Sequence, residues 1–164
     1  MPGAPELTLR PFRPDDIGNM LAWENDSEVR RWMGGRFSSP GEARQWLLLV
    51  RKSRSRRLYI IQAEGRAIGD IVLENINYRA GSVEVRICIG DPGYRNRGLG
   101  QLAMRTLLEM IRHRAVLKEV YLRVDPRNAR AIRCYEKCGF RREGILRRSS
   151  NVDGDLLLMS CRLA

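Results

Sequence analysis

The chain has 164 residues, a formal net charge of +11, and 43% hydrophobic and 30% charged residues. Such a composition fits one folded domain that buries roughly 70% of its unfolded surface and needs no disulfide or metal staples. No apolar run approaches the ~18 residues of a membrane span, and Met1 to Leu9 lacks the basic and apolar stretches of a secretion signal, so the expected location is the cytoplasm.

Taken in chain order, Leu7 to Phe12 alternates as a short strand. Pro14-Asp15-Asp16 opens a helix to about Trp23, and a further helical piece over Ser27 to Trp32 stops at Gly34-Gly35. Ser38-Ser39-Pro40-Gly41-Glu42 starts another helix, through Ala43 to Val50, followed by the basic connector Arg51 to Arg57. The period then changes to that of strands. Leu58 to Ala63 and Ala67 to Asn77 flank Glu64-Gly65-Arg66, which reads as a three-residue hairpin connection. Ser82 to Ile89 places Val83, Val85, Ile87 and Ile89 on one face and Glu84, Arg86 and Cys88 on the other.

A glycine-rich turn leads into a helix from about Gly98 to His113, with Leu99, Ala103, Leu107, Met110 and Ile111 as its buried stripe. Glu119 to Val124 is a strand, so strand, helix and strand form a crossover with a parallel pair. A short helix over Ala129 to Cys138 ends at Gly139, and two last strands, Arg142 to Ser149 and Asp155 to Leu163, pair across Asn151 to Gly154. The four cysteines (Cys88, Cys134, Cys138, Cys161) form no CxxC pair, and one histidine is too few for a Cys/His zinc cage, so they read as reduced thiols and no metal is expected.

The charge attracts anions, whether nucleic acid, membrane headgroup or a phosphorylated ligand. It rests on 27 arginines and only three lysines, a skew that codon bias explains as well as function does. The connector Arg51 to Arg57 is either an RNA or phosphate contact or a solvated loop.

The informative stretch is Ile87-Cys88-Ile89-Gly90-Asp91-Pro92-Gly93-Tyr94-Arg95-Asn96-Arg97-Gly98-Leu99-Gly100-Gln101. A strand runs into a turn with two glycines where a helix begins, and the first N–H groups of a helix have no partner within it. With the helix dipole they make a site for a phosphate or pyrophosphate, which glycine lets come close to the backbone. Neither the Lys-Ser/Thr ending of a P-loop nor full GxGxxG spacing is present, so nucleotide hydrolysis and dinucleotide binding are disfavoured.

Arg95-x-x-Gly98-x-Gly100 resembles the acyl-CoA signature of the GNAT N-acetyltransferases, and Asn128-x-x-Ala131-x-x-x-Tyr135-x-x-x-Gly139-Phe140 resembles that family's second motif. The opening Leu7 to Phe12 and the ending Glu143-Gly144 with Asp153 to Met159 are similar to the branch of ribosomal-protein N-terminal and spermidine acetyltransferases. The resemblance implies an α/β fold with a mixed, mostly antiparallel sheet, a splayed parallel pair and flanking helices. It implies acetyl transfer from acetyl-CoA to a primary amine by direct attack. Asn96, Arg97, Gly98, Leu99, Gly100 and Gln101 would wrap the pyrophosphate, with Arg95 heading the signature. Ile87, Cys88 and Ile89 would bind the pantetheine arm through their backbone, although the extra Gly90 leaves that register open by one residue. Asn128 is a CoA contact, a helix cap, or both. Tyr135 is the general acid, since a phenol with a pKa near ~10 keeps its proton at neutral pH.

Glu84 is the candidate base; its alternative is a salt bridge with Arg86 or a cross-strand partner, and Glu74 lies on a neighbouring strand. The expected partners are acetyl-CoA and an amine: a protein N-terminus, which the cationic field slightly favours, or a polyamine or other small amine, which Glu24, Asp26 and Glu28 would favour. A ribosomal or peptide substrate and a homodimer are kept open. Two other classes compete: a non-catalytic acyl-CoA sensor, which would have no need of Tyr135, and a basic RNA- or ribosome-binding module, against which the low aromatic content of 7% weighs.

Overall fold

The computed structural model describes residues 6–147 and 154–163. Seven strands form one sheet in the order β1-β2-β3-β4-β5-β7-β6. These are β1 (Leu7–Pro11), β2 (Arg57–Ala63), β3 (Arg66–Asn77), β4 (Ser82–Ile89), β5 (Glu119–Val124), β6 (Arg141–Leu146) and β7 (Leu156–Arg162). Neighbours are antiparallel except β4 and β5, which the helix α4 (Leu99–Arg114) joins as a crossover.

Period-two alternation lets the sheet bury both faces. Ile61, Ile71, Leu73, Val83, Val85, Val120 and Leu122 pack under α4 and α5 (Ala129–Lys137). Leu58, Ile60 and Val72 point the other way, against α1 (Ile17–Glu24) and α3 (Pro40–Lys52). The short α2 (Ser27–Met33) is capped by the Asp26 carboxylate, which accepts from the N–H groups of Glu28 and Val29.

Four local expectations need correction. The first hairpin turns on two residues, Glu64 and Gly65, both with positive φ (53° and 75°), as a type I′ turn demands, and Arg66 already pairs with Ala63. Helix α3 continues to Lys52, so only residues 53–56 connect it to β2. The buried stripe of α4 includes Met104 and Leu108, while Met110 is half-buried, because the helix lies flat on the sheet and needs a wider apolar face. Strand β6 begins one residue early, at Arg141, and ends at Leu146; the expected turn over residues 151–153 lies outside the described residues.

The parallel pair positions the site. Only Ser82, Val83 and Glu84 pair with Glu119, Val120 and Tyr121; beyond them the two strands separate. Along Val85–Ile89, β4 keeps its ladder with β3 but has no strand on its other edge among the described residues. Backbone donors and acceptors there are left for a ligand or water.

Candidate active site

A cleft of about 1180 Å³ opens where β4 and β5 part, bounded by the turn into α4, by α5, and by α2. It brings together all but one of the residues expected from the sequence: Glu84, Ile87, Cys88, Ile89, Arg95, Asn96, Gly98, Leu99, Gly100, Gln101, Asn128 and Tyr135 line it. Leu99 also anchors the helix in the core, at 2% exposure. Arg97 stands outside the lining, exposed, with its guanidinium 5.0 Å above the Tyr94 ring and 3.5 Å from Glu64.

The turn has the backbone of an anion cradle. Asn96 and Gly98 hold positive φ (62° and 75°), and Gly98 caps α4 with no side chain over its end. The N–H of Leu102 donates to the Gly98 carbonyl, leaving the N–H groups of Leu99, Gly100 and Gln101 without an intrahelical acceptor. At Gly100 a Cβ would meet only Ile89 Cγ1, at 3.8 Å, so the fold itself does not require that glycine.

Arg95 is committed elsewhere. Its Nε donates to the Ile89 carbonyl and its Nη2 to the Gly90 carbonyl, each at 3.0 Å, with Asp26 also at 3.0 Å. It therefore locks the turn to the end of β4 and to the start of α2. Gly90 is held in place by its surroundings: its N–H and that of Asp91 both donate to the Ile68 carbonyl, and a Cβ on it would lie 2.1 Å from Trp23 Cγ. The extra residue is absorbed beneath Trp23, after β4 has ended at Ile89.

Asn128 caps α5, its Oδ1 accepting from the Ala131 N–H at 3.3 Å, while it also faces the cleft. About two turns on, Tyr135 packs against Phe140 with ring centroids 6.0 Å apart. Burial pushes its phenol up from the ordinary tyrosine value. Cys88 is likewise pushed up to about 12 by burial and by the nearby Asp70 charge, so it is a neutral thiol.

Glu84, at 5% exposure, has both carboxylate oxygens taken. Oε2 accepts from Arg123 Nε at 2.6 Å, and Oε1 from Asn75 Nδ2 at 2.9 Å. Its partner is thus Arg123 on β5; Arg86 instead donates to the Met33 carbonyl at 2.9 Å. Glu74 lies directly across from Glu84 on β3, half-buried in the same cleft, with no hydrogen bond or ion pair among the described residues.

Three features were not found from the sequence. Trp32 and Met33 of α2 form the far wall of the cleft, beside Glu28, which the sequence had offered as an acidic group near the acceptor. Below it Arg36 joins two buried carboxylates, Glu24 at 2.6 Å and Asp70 at 2.8 Å, and stacks 4.9 Å over Trp46. Burial lowers the Arg36 pKa, but the charges of Asp70 and Glu24 outweigh it and raise the pKa overall. Arg123, which neutralises Glu84, is the third. The one available signal was an excess of charge in apolar surroundings.

An acetyltransferase (GNAT) domain profile matches residues 6–141. The chain belongs to the GNAT acetyltransferases. Among similar GNAT proteins is the aminoglycoside N(6')-acetyltransferase type 1 of Klebsiella pneumoniae, 30% identical over 93% of this chain and 81% of that protein. The spermidine N(1)-acetyltransferase of Escherichia coli K12 is also 30% identical, over 94% of this chain and 83% of its own. A solved aminoglycoside acetyltransferase in complex with coenzyme A superposes with a TM-score of 0.82 at 25% identity, covering 96% of this chain and 95% of that one. Acetyl-CoA is the donor, and the cleft fits it: a cradle of free amides, an unpaired strand edge and a tyrosine follow one another along its length. Among the described residues no cluster could hold a metal ion, and no helix is long and apolar enough to cross a membrane.

Proposed function

We propose that this GNAT enzyme acetylates a small, multiply charged amine, with Glu74 receiving the attacking nitrogen's proton and Tyr135 standing at the departing sulfur. The observation that carries it is a pair of cleft carboxylates without an ion pair. Glu28 and Glu74 line the cleft and make no ion pair among the described residues, although Arg31, Arg86 and Arg123 line it too. Two such carboxylates suit an acceptor with more than one ammonium group. Of the other acids considered for this role, Glu24 is buried on Arg36 and Asp26 is held by Arg95.

A lysine-like amine with a pKa near ~10.4 is neutral in only about 0.04% of molecules at pH 7, so a base is worth roughly 3 kcal/mol. Glu74 is the carboxylate free to act; Glu84 is spent on Arg123 and serves to hold that cation in place. The turn 96–101 holds the pyrophosphate through its amides, and the open edge of Val85–Ile89 takes the pantetheine arm and polarises the thioester carbonyl. A phenol held above ~10 is a weak acid toward a thiolate near ~8.5, so Tyr135 stabilises the leaving sulfur chiefly as a hydrogen-bond donor.

The relatives named for spermidine and aminoglycosides support this acceptor class. A peptide or ribosomal acceptor is favoured instead by an open groove of about 1020 Å³ beside Glu84, floored by β5, β7 and β6. Thiol release with spermidine, an aminoglycoside and an Ala- or Ser-terminated peptide separates the two. At least ten-fold higher kcat/KM for a small polyamine or aminoglycoside is expected; a preference for the peptide overturns the proposal. A cytoplasmic location belongs to the same proposal, supported by four free thiols. Self-assembly does too, supported by the exposed edge strand β6 and by the dodecamer of the spermidine N-acetyltransferase of Vibrio cholerae.

A further inference from the structure

Helix α2 walls the acceptor side of the cleft, yet little packing holds it there. Of its seven residues only Val29 is buried, and none belongs to the two hydrophobic clusters on the faces of the sheet. The helix runs out at Gly34 and Gly35, where an added Cβ would meet nothing within 4 Å, and Gly34 holds a φ of 67°. Arg30 ties it only to the residues just before it, through the Glu24 carbonyl at 3.1 Å and the Asn25 side chain at 3.2 Å.

Two arginines fasten its ends to the cofactor side of the molecule. At the C-terminus Arg86 Nη2, from β4, donates to the Met33 carbonyl at 2.9 Å. At the N-terminus the Asp26 carboxylate has two tasks. Its Oδ1 accepts from the N–H groups of Glu28 and Val29, at 3.0 and 3.2 Å, and lies 3.0 Å from Arg95 Nη2. Arg95 leads into the turn 96–101, and its bonds to the Ile89 and Gly90 carbonyls fix its guanidinium at the end of β4. Burial alone would raise the Asp26 pKa, but the hydrogen bond and charge of Arg95, with the two N–H groups, outweigh it and hold the carboxyl below its ordinary value. One ionised carboxylate thus begins the acceptor wall and touches the cofactor turn.

We propose that Asp26 is a positioning residue for the acceptor: its ion pair with Arg95 sets α2 against the cleft when acetyl-CoA occupies the turn 96–101. The inference rests on the acceptor reading above, in which Glu28 of α2 faces the amine, and it adds what fixes that wall. With its amides on a pyrophosphate the turn is held still, Arg95 with it, and α2 is confined to the position that completes the acceptor site. An empty turn leaves Arg95 and the lightly packed helix freer, and the amine must then supply the ordering itself. Coupling of this kind is reciprocal, and about five- to ten-fold lies at the lower end of what such linkage gives.

Asp26→Asn separates the two tasks of this side chain, because asparagine caps a helix as well as aspartate does but offers Arg95 no charge. The experiment is calorimetry of Asp26→Asn and of the unsubstituted enzyme with spermidine, with and without saturating coenzyme A, two ligands that cannot react together. In the unsubstituted enzyme coenzyme A should tighten spermidine binding about five- to ten-fold. In Asp26→Asn that gain should fall below about two-fold. Coenzyme A affinity without amine and Tm should both stay as they were, since Arg95 keeps its two carbonyl bonds and α2 its cap. In steady-state kinetics the loss should appear in the spermidine KM, about five-fold higher, rather than in kcat, a split that a merely weakened fold would not produce. A gain in Asp26→Asn equal to that of the unsubstituted enzyme, or no gain in either, overturns the proposal. If the unsubstituted enzyme acetylates the Ala- or Ser-terminated peptide and not spermidine, the acceptor reading is what fails, and the same comparison made with the peptide decides the role of Asp26.

Discussion

Glu74 and Glu84 are Cα partners across β3 and β4, yet among the described residues only Glu84 makes a direct ion pair, with Arg123 at 2.6 Å, while Glu74 has only the more distant charges of Arg86 and Arg123. Two facing carboxylates repel, and the arrangement is tolerable because one is neutralised and the other opens on a cleft. The two should therefore fail differently. Glu74→Gln is expected to lower kcat on a polyamine by about 10²-fold, with coenzyme A affinity unchanged. The deficit should shrink as pH rises and the amine loses its proton unaided. Glu84→Gln leaves the Arg123 guanidinium half answered and should lower stability by about 1–3 kcal/mol, read as a fall in Tm. A large kcat loss in Glu84→Gln at unchanged Tm would return the base role to Glu84.

The two glycines of the turn also separate fold from ligand. Gly98 has φ of 75°, so Gly98→Val strains the backbone by about 1–2 kcal/mol even without a ligand. At Gly100 φ is ordinary and a Cβ fits against Ile89, so Gly100→Ala should leave Tm unchanged. Its methyl group would stand where the pyrophosphate approaches, and coenzyme A affinity should fall by at least ten-fold in calorimetry. Unchanged affinity in Gly100→Ala would remove the cradle.

What could be read in the sequence was what depends on neighbours in the chain. The alternation of Val83 to Ile89, the glycines at 98 and 100 and the spacing from Asn128 to Tyr135 all express local geometry, and the structure places each in the cleft or its core. Contacts between distant residues were not legible. Arg36 meets a carboxylate 34 residues away and Glu84 a guanidinium 39 residues away, and nothing near either residue marks the partner. Of the two partners open to Glu84, Arg86 on the same strand face or a cross-strand residue, the second is found, because side chains two apart on a strand stand nearly 7 Å apart and Arg86 meets the Met33 carbonyl instead.

Gly90 and Trp23 test that kind of contact directly. Trp23 is 5% exposed, and the missing Cβ of Gly90 would lie within 2.1 Å of its Cγ. Gly90→Ala forces either Trp23 or the β4 terminus to move, and overpacking of this kind costs about 1–3 kcal/mol. The expected result is a lower Tm and weaker coenzyme A binding together, because the same displacement moves Arg95 and the turn. Pairing Gly90→Ala with Trp23→Leu should recover part of both, measured as a double-mutant cycle.

Acid sensitivity follows from Asp16, whose carboxylate is nearly buried and joined to Arg10 at 2.7 Å. Burial alone would raise its pKa, but the hydrogen bonds from Arg10 and from the Arg13 N–H, with the Arg10 charge, outweigh it and hold the pKa below the ordinary value. A carboxyl ionised more readily in the folded than in the unfolded chain stabilises the fold fully above its unfolded pKa, near ~3.9, and loses that contribution as pH falls through the folded pKa. Asp16→Asn should thus lower Tm by a constant amount between pH 5 and pH 8. The gap to the unsubstituted protein should narrow only below about pH 4. Thermal denaturation across that range checks it, and a gap that closed near neutral pH would mean that a different group controls stability there.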